Sequence, residues 1–182
     1  KTRADYLNSL KVMRPNIYKF GKLIEDVTTD PATRRTVEGH ARGIDAAHDP
    51  EYADAFTTVS DFTGEKIFRW NSMMDGTNYQ ERLKKWIIGA QEKGLVVAGA
   101  LTDAKGDRSM RPSQQPDPDS NVHIKEVRED GIVISGTKAM ICGVAASNEI
   151  FILPGGGYRE EDQDYAVVVV VPRDIEGLTI VE

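Results

Sequence analysis

The stretch LTDAKGDR, Leu101 to Arg108, crowds Asp103, Lys105, Asp107 and Arg108 around Gly106, directly after the apolar run LVVAGA. Its donors are the Thr102 hydroxyl, the Lys105 ammonium, the Arg108 guanidinium and several backbone N–H groups. Gly106 lets the backbone approach a ligand with no side chain in the way. A loop of this kind can hold the polar edge of an aromatic ring or a phosphate. The same residues also make a plain turn, with Asp103 capping it and the lysine and arginine in surface ion pairs. Composition by itself favours the turn.

A second candidate is KAMICGVAASNE, which follows a strand and carries Cys142, Gly143 and a run of small residues. Small residues suit either a ligand packed against them or tight packing inside a sheet. Cys142, with no histidine nearby in sequence, reads as a small buried hydrophobe rather than a nucleophile. PGGGY, Pro154 to Tyr158, lacks the Lys and Ser/Thr of a phosphate-binding P-loop and reads as a strand connection. His40, His48 and His123 are scattered, and with a single cysteine they form no recognisable metal spacing. His40 and His48, Trp70, Tyr79 and Trp86 are taken as structural. Glu160 and Glu161 lie in a polar loop as solvated carboxylates, and no Ser-His-Asp arrangement is present.

The elements that must position these residues change character along the chain. Thr2 and Asp5 make a T-x-x-D start for a helix carrying Tyr6, Leu7 and Leu10, ended by Pro15 and Asn16. NIYKFGKLIED reads as two short strands around Gly21, DPATRRTVEGHARGIDAAHDP as a helix, EYADAF as one more helical turn, and TTVSDFTGEKIFRW as extended with a turn at Thr63-Gly64. TNYQERLKKWIIGAQEKG is the clearest helix. Thr77 or Asn78 caps it, Tyr79, Leu83, Trp86 and Ile87 form its stripe, and Gly94 ends it. After the surface connection RPSQQPDPDS, VHIKEVREDGIVISG gives a hairpin turning at Asp130-Gly131, and TKAMICG, NEIFILP, DYAVVVVVP and GLTIV supply further strands. Helices followed by strands predict an α+β fold, with a mainly helical domain over residues 1–100 and a β domain over 101–182. No G-x-G-x-x-G follows a strand, so a dinucleotide-binding βαβ fold is not expected. GLTIVE stops within a strand pattern, and a sheet ending there would leave an edge unpaired, so the chain reads as part of a longer protein.

With 182 residues, 40% hydrophobic and 29% charged, the chain can bury a core. Its net charge of -6 and lack of a basic stripe argue against nucleic acid as a partner. YAVVVVVP is far too short to span a bilayer, and KTRADYLNSL has no apolar signal core, so no membrane partner is expected. One cysteine allows no internal disulfide and suits a cytoplasmic location.

YADAFTT, TNY, GALTDAKGDR, REDGIVISGTKAM and DQDYAVVVVVPRDIEGL, in that order over nearly the whole chain, resemble the flavin-dependent 4-hydroxyphenylacetate 3-hydroxylase / 4-hydroxybutyryl-CoA dehydratase family. The TD-x-KGDR wording resembles the branch of 4-hydroxybutyryl-CoA dehydratase and vinylacetyl-CoA isomerase, whereas the aromatic monooxygenases tend to carry an NPQ-type loop there. The resemblance implies an acyl-CoA-dehydrogenase-like architecture: a helical N-terminal region, an antiparallel β-barrel-like domain, incomplete here, and a C-terminal helical bundle absent from this chain, assembled as a homotetramer. It also implies that FAD is lined by Leu101, Thr102, Asp103, Lys105, Gly106, Asp107 and Arg108, and by Met140, Ile141, Cys142 and Gly143. Within that set Thr102, Lys105, Asp107, Arg108 and Cys142 are expected to contact the flavin.

The departures from the family are specific. Met140 stands where the dehydratases have histidine. Met74 runs directly into Asp75, where family members carry an insert holding cysteine ligands of an iron–sulfur cluster. The bundle that supplies the remaining histidine and cysteine ligands lies beyond Glu182. The chain itself therefore carries no expected metal ligand, and an iron–sulfur cluster belongs only to a full-length protein.

The first functional expectation is a flavin-dependent lyase or isomerase acting on an acyl-CoA thioester. It would dehydrate 4-hydroxybutyryl-CoA or shift the double bond of vinylacetyl-CoA. The second is a reduced-flavin monooxygenase that hydroxylates a phenolic substrate with a flavin reductase as partner. The third is a truncated, non-catalytic binding module. The catalytic acid and base are not identified in either enzymatic reading.

Overall fold

Thr2 opens the first helix as its spacing predicts. In the computed structural model, which describes residues 1–71, 81–104 and 106–182, α1 spans Arg3–Lys11. The Thr2 hydroxyl accepts from the Asp5 N–H at 3.2 Å, and the Thr2 N–H donates to the Asp5 carboxylate at 2.7 Å. Both otherwise unpaired donors of the first turn are thereby satisfied. Those bonds from Thr2 hold the Asp5 carboxyl below its ordinary value.

The described chain forms two compact units. The first comprises residues 1–96, 145–148 and 174–182. Here α1 lies against α2, Arg34–His48, whose Val37, Ala41, Ile44 and Ala47 recur at helical spacing and are buried. Arg3 reaches across to Glu38 at 2.5 Å and Asp45 at 2.9 Å. Tyr6 is fully buried, and its hydroxyl donates to the Ala146 carbonyl at 2.7 Å. Strands β1, Ile17–Lys19, and β2, Lys22–Ile24, form the expected hairpin. Phe20 and Gly21 turn it, both with positive φ. Helix α3, Ala53–Phe56, leads into a second hairpin of β3, Thr57–Val59, and β4, Lys66–Phe68. Helix α4, Glu81–Lys93, ends where Gly94 takes φ +55° and the Leu95 N–H bonds back to the Ala90 carbonyl at 3.0 Å. The proposed cap at Thr77 or Asn78, Tyr79 and the Met74–Asp75 junction lie outside the described residues.

The second unit comprises residues 97–144 and 149–173. The apolar run LVVAGA supplies β5, Val97–Ala100. It pairs in parallel with β8, Glu149–Ile152, which in turn pairs antiparallel with β9, Val169–Pro172. Strand β8 is therefore central, and its alternate residues Ile150 and Ile152 are buried. The predicted hairpin is β6, His123–Arg128, with β7, Gly131–Ser135, and carries a register shift between Ile124 and Glu126. The last strand, β10, Ile180–Val181, belongs to the first unit, parallel to β1.

The chain is thus a mixed helix-and-strand fold, but the expected antiparallel barrel is not formed. Among the described residues the second unit has one three-stranded and one two-stranded sheet, and neither closes on itself. TKAMICG, expected to be a strand, does not form one. Met140 and Gly143 both have positive φ, at 58° and 72°. Such left-handed residues cannot continue a pleated ladder. Only a single bridge, Asp103 to Lys138, remains of the pairing.

Candidate functional site

That single bridge makes the site. Asp103 and Lys138 pair antiparallel, and the Ala139 N–H donates to the Thr102 carbonyl at 2.8 Å. The two segments singled out in the sequence, 101–108 and 140–143, are thereby joined at their bases. Lys138, 9% exposed, donates to the carbonyls of Leu101 at 3.0 Å and Leu153 at 2.7 Å. It also pairs with the Asp103 carboxylate. An ammonium has three N–H donors, and here each has an acceptor. The other Asp103 oxygen faces the Tyr158 hydroxyl at 3.5 Å, and that hydroxyl accepts from the Gly155 N–H at 3.2 Å. Burial, and then the neighbouring Asp103 charge, push the Tyr158 hydroxyl above its ordinary value, so it stays a neutral donor. Gly155 must be glycine here: a Cβ on it would lie 2.2 Å from the Asp103 carboxylate.

The far side of the loop is fixed by an amide. Gln115 accepts from the Asp107 N–H at 3.0 Å and donates to the Asp107 carbonyl at 2.8 Å. Its side chain lies so close that a Cβ on Gly106 would sit 2.2 Å from it. The Asp107 carboxylate accepts from the Ser109 hydroxyl at 2.6 Å and the Ser109 N–H at 2.8 Å, which hold its carboxyl below the ordinary range. Asp107 therefore shapes the turn.

With Asp103 and Asp107 occupied, the groups left open are Thr102, Arg108, Met140 and Cys142, all exposed. Arg108 makes no ion pair among the described residues. Cys142, expected to be buried, is exposed as a free thiol. Leu101 is 51% and Met140 79% exposed, so apolar surface flanks the donors. Ile141 and Gly143 are half-buried, and Lys105 lies outside the described residues.

Sequence reasoning missed Lys138, Tyr158, Gly155 and Gln115. A lysine placed directly before an apolar AMIC run was the one available signal. Other singled-out residues have structural roles. His48 Nδ1 lies 2.8 Å from the Ile44 carbonyl and Trp70 stacks on Phe68 with ring centroids 4.5 Å apart, whereas His40 is exposed. Glu161 is not simply solvated but pairs with Arg111 at 3.1 Å. No group of His, Cys, Asp or Glu among the described residues is placed to hold a metal ion, and no described helix is long and apolar enough to cross a membrane.

Residues 2–75 and 70–182 match the model of the family described as 4-hydroxyphenylacetate 3-hydroxylase N terminal. The chain belongs to that family. It is 33% identical over 226 aligned residues to the 4-hydroxybutyryl-CoA dehydratase/vinylacetyl-CoA-Delta-isomerase of Clostridium aminobutyricum, a match covering 99% of this chain and 46% of that protein. Among solved structures, an oxygen-tolerant archaeal 4-hydroxybutyryl-CoA dehydratase from N. maritimus superposes with a TM-score of 0.92 at 27% identity, over 100% of this chain and 45% of that one. The oxygenase component of 4-hydroxyphenylacetate 3-monooxygenase, complexed with FAD, shares the fold with a TM-score of 0.84 at 22% identity, over 100% of this chain and 46% of that one. The chain spans about half the length of the relatives it matches.

Proposed function

We propose that this chain is the FAD-contacting N-terminal portion of a dehydratase or isomerase acting on a 4-carbon acyl-CoA thioester, of the 4-hydroxybutyryl-CoA dehydratase/vinylacetyl-CoA isomerase kind. The observation that carries this reading is the bridge between Asp103 and Lys138, which leaves Thr102 and Arg108 open beside the exposed side chains of Leu101 and Met140. That set suits a flavin, a flat ring with apolar faces and an edge of carbonyl oxygens and ring nitrogens. Thr102 can donate to a ring-edge acceptor, Arg108 can neutralise a developing negative charge or a phosphate, and Leu101 and Met140 can cover a ring face. The 33% identity to the Clostridium dehydratase and the TDAKGDR wording support the dehydratase branch. FAD held within the same fold by the oxygenase component supports the cofactor.

When bound, the flavin supplies electron transfer, which eases removal of a hydrogen that is not itself acidic. The part of this chain is to bind and orient the ring. The Asp103 carboxylate is taken up by Lys138 and Tyr158 and that of Asp107 by Ser109, so both shape the loop. An iron–sulfur centre, if the whole protein carries one, takes ligands from outside the described residues. The whole protein is proposed to be a cytoplasmic homotetramer.

Turnover by the full-length protein tests the assignment. Anaerobic conversion of 4-hydroxybutyryl-CoA to crotonyl-CoA, with no added reductant, is the expected result. Oxygen- and reduced-flavin-dependent hydroxylation of 4-hydroxyphenylacetate, with no action on the thioester, would move the protein to the monooxygenase branch.

A further inference from the structure

We infer that Lys138 is a positioning residue of the flavin loop, acting through Asp103 and two backbone carbonyls rather than by touching the cofactor. This rests on the flavin reading above. Lys138 stands three residues beyond the end of β7, and its ammonium draws together three segments that are distant in sequence. Leu101 and Asp103 follow β5, and Leu153 follows β8. The Leu153 N–H donates to the Ala100 carbonyl at 3.0 Å, so the ammonium sits where the β5–β8 ladder ends and the loop begins.

Each of its donors is occupied, and its side chain is 9% exposed beside an Asp103 that is 12% exposed. A half-buried cation with all three donors occupied is held away from a ligand, and so is the half-buried carboxylate between Lys138 and Tyr158. Asp103 is thereby removed from the set of flavin contacts and becomes the second member of the clamp. Gly155 completes it, since any Cβ there would occupy the position of the Asp103 carboxylate. The consequence is that Thr102, flanked by two restrained neighbours, presents its hydroxyl from a fixed backbone.

The experiment is Lys138→Met in the full-length protein, read by FAD titration, by the visible spectrum of bound flavin and by amide hydrogen exchange of the apoprotein. The variant should bind FAD at least tenfold more weakly, with its absorption band moved toward that of free flavin. Exchange should accelerate at residues 101–104, 138–140 and 153 while the β6–β7 hairpin keeps wild-type protection. FAD affinity within twofold of wild type and an unchanged spectrum would overturn the inference. So would accelerated exchange throughout the unit, which marks a merely structural lysine. Should Lys138→Met not fold, the double variant Lys138→Met/Asp103→Asn leaves no unpaired charge and carries the same expectations. A wild type that binds no FAD would sink the flavin reading instead, and the exchange pattern would still report whether Lys138 holds the loop.

Discussion

Thr102 and Arg108 are available because their neighbours are not. Asp103 is paired with Lys138 and faces Tyr158, and the exposed Asp107 carboxylate is held by the Ser109 hydroxyl and N–H, so both carboxylates are engaged within the protein. Arg108 remains as an exposed cation on a backbone fixed from both sides. On the proposed flavin reading, replacing it with alanine removes a charge-assisted contact to FAD, which typically contributes about 1.5–3 kcal/mol, somewhat less where solvent screens it. Arg108→Ala should therefore raise the Kd for FAD about tenfold in a fluorescence titration while leaving the melting temperature within about a degree. The density of charge around Gly106 made this loop legible in the sequence. Lys138 was marked in the sequence only by standing before an apolar run; its partners lie 37, 35 and 15 residues away, and no local pattern encodes their convergence.

At the scale of elements, what could be read was what is local. The capping box at Thr2, the Phe20-Gly21 turn and the glycine end of α4 all depend on a few adjacent residues, and each forms; the β6–β7 hairpin forms too, but it turns at Glu129-Asp130, one residue before the expected Asp130-Gly131. What could not be read was the pairing of distant strands. β5 pairs in parallel with β8, which an order of helices followed by strands does not reveal. The expected barrel is not formed: among the described residues the second unit has one three-stranded sheet, with a parallel β5–β8 pair, and one two-stranded sheet. Gly136 matters to the site through the path of the chain. It has φ +135°, and a Cβ on it would lie 2.4 Å from the Asn121 carbonyl oxygen and the Val122 Cα, both backbone atoms that cannot step aside. Gly136→Ala should therefore destabilise the protein by more than about 1 kcal/mol. It should also weaken FAD binding, because the displaced segment carries Lys138 away from Leu101. Thermal melts and FAD titration of the same preparation check both effects, and a stable variant with wild-type affinity would show that the chain path is not critical.

For the whole molecule, the described chain forms two units and spans about half the length of the relatives it matches. We propose that FAD is held by the joined segments of the second unit. The most direct measurement is amide hydrogen exchange of the full-length protein with and without FAD. Slowed exchange in peptides covering Leu101–Ala104 and Lys138–Gly143 is the predicted result. Saturable FAD binding that protects other peptides and leaves these two segments unchanged would contradict it.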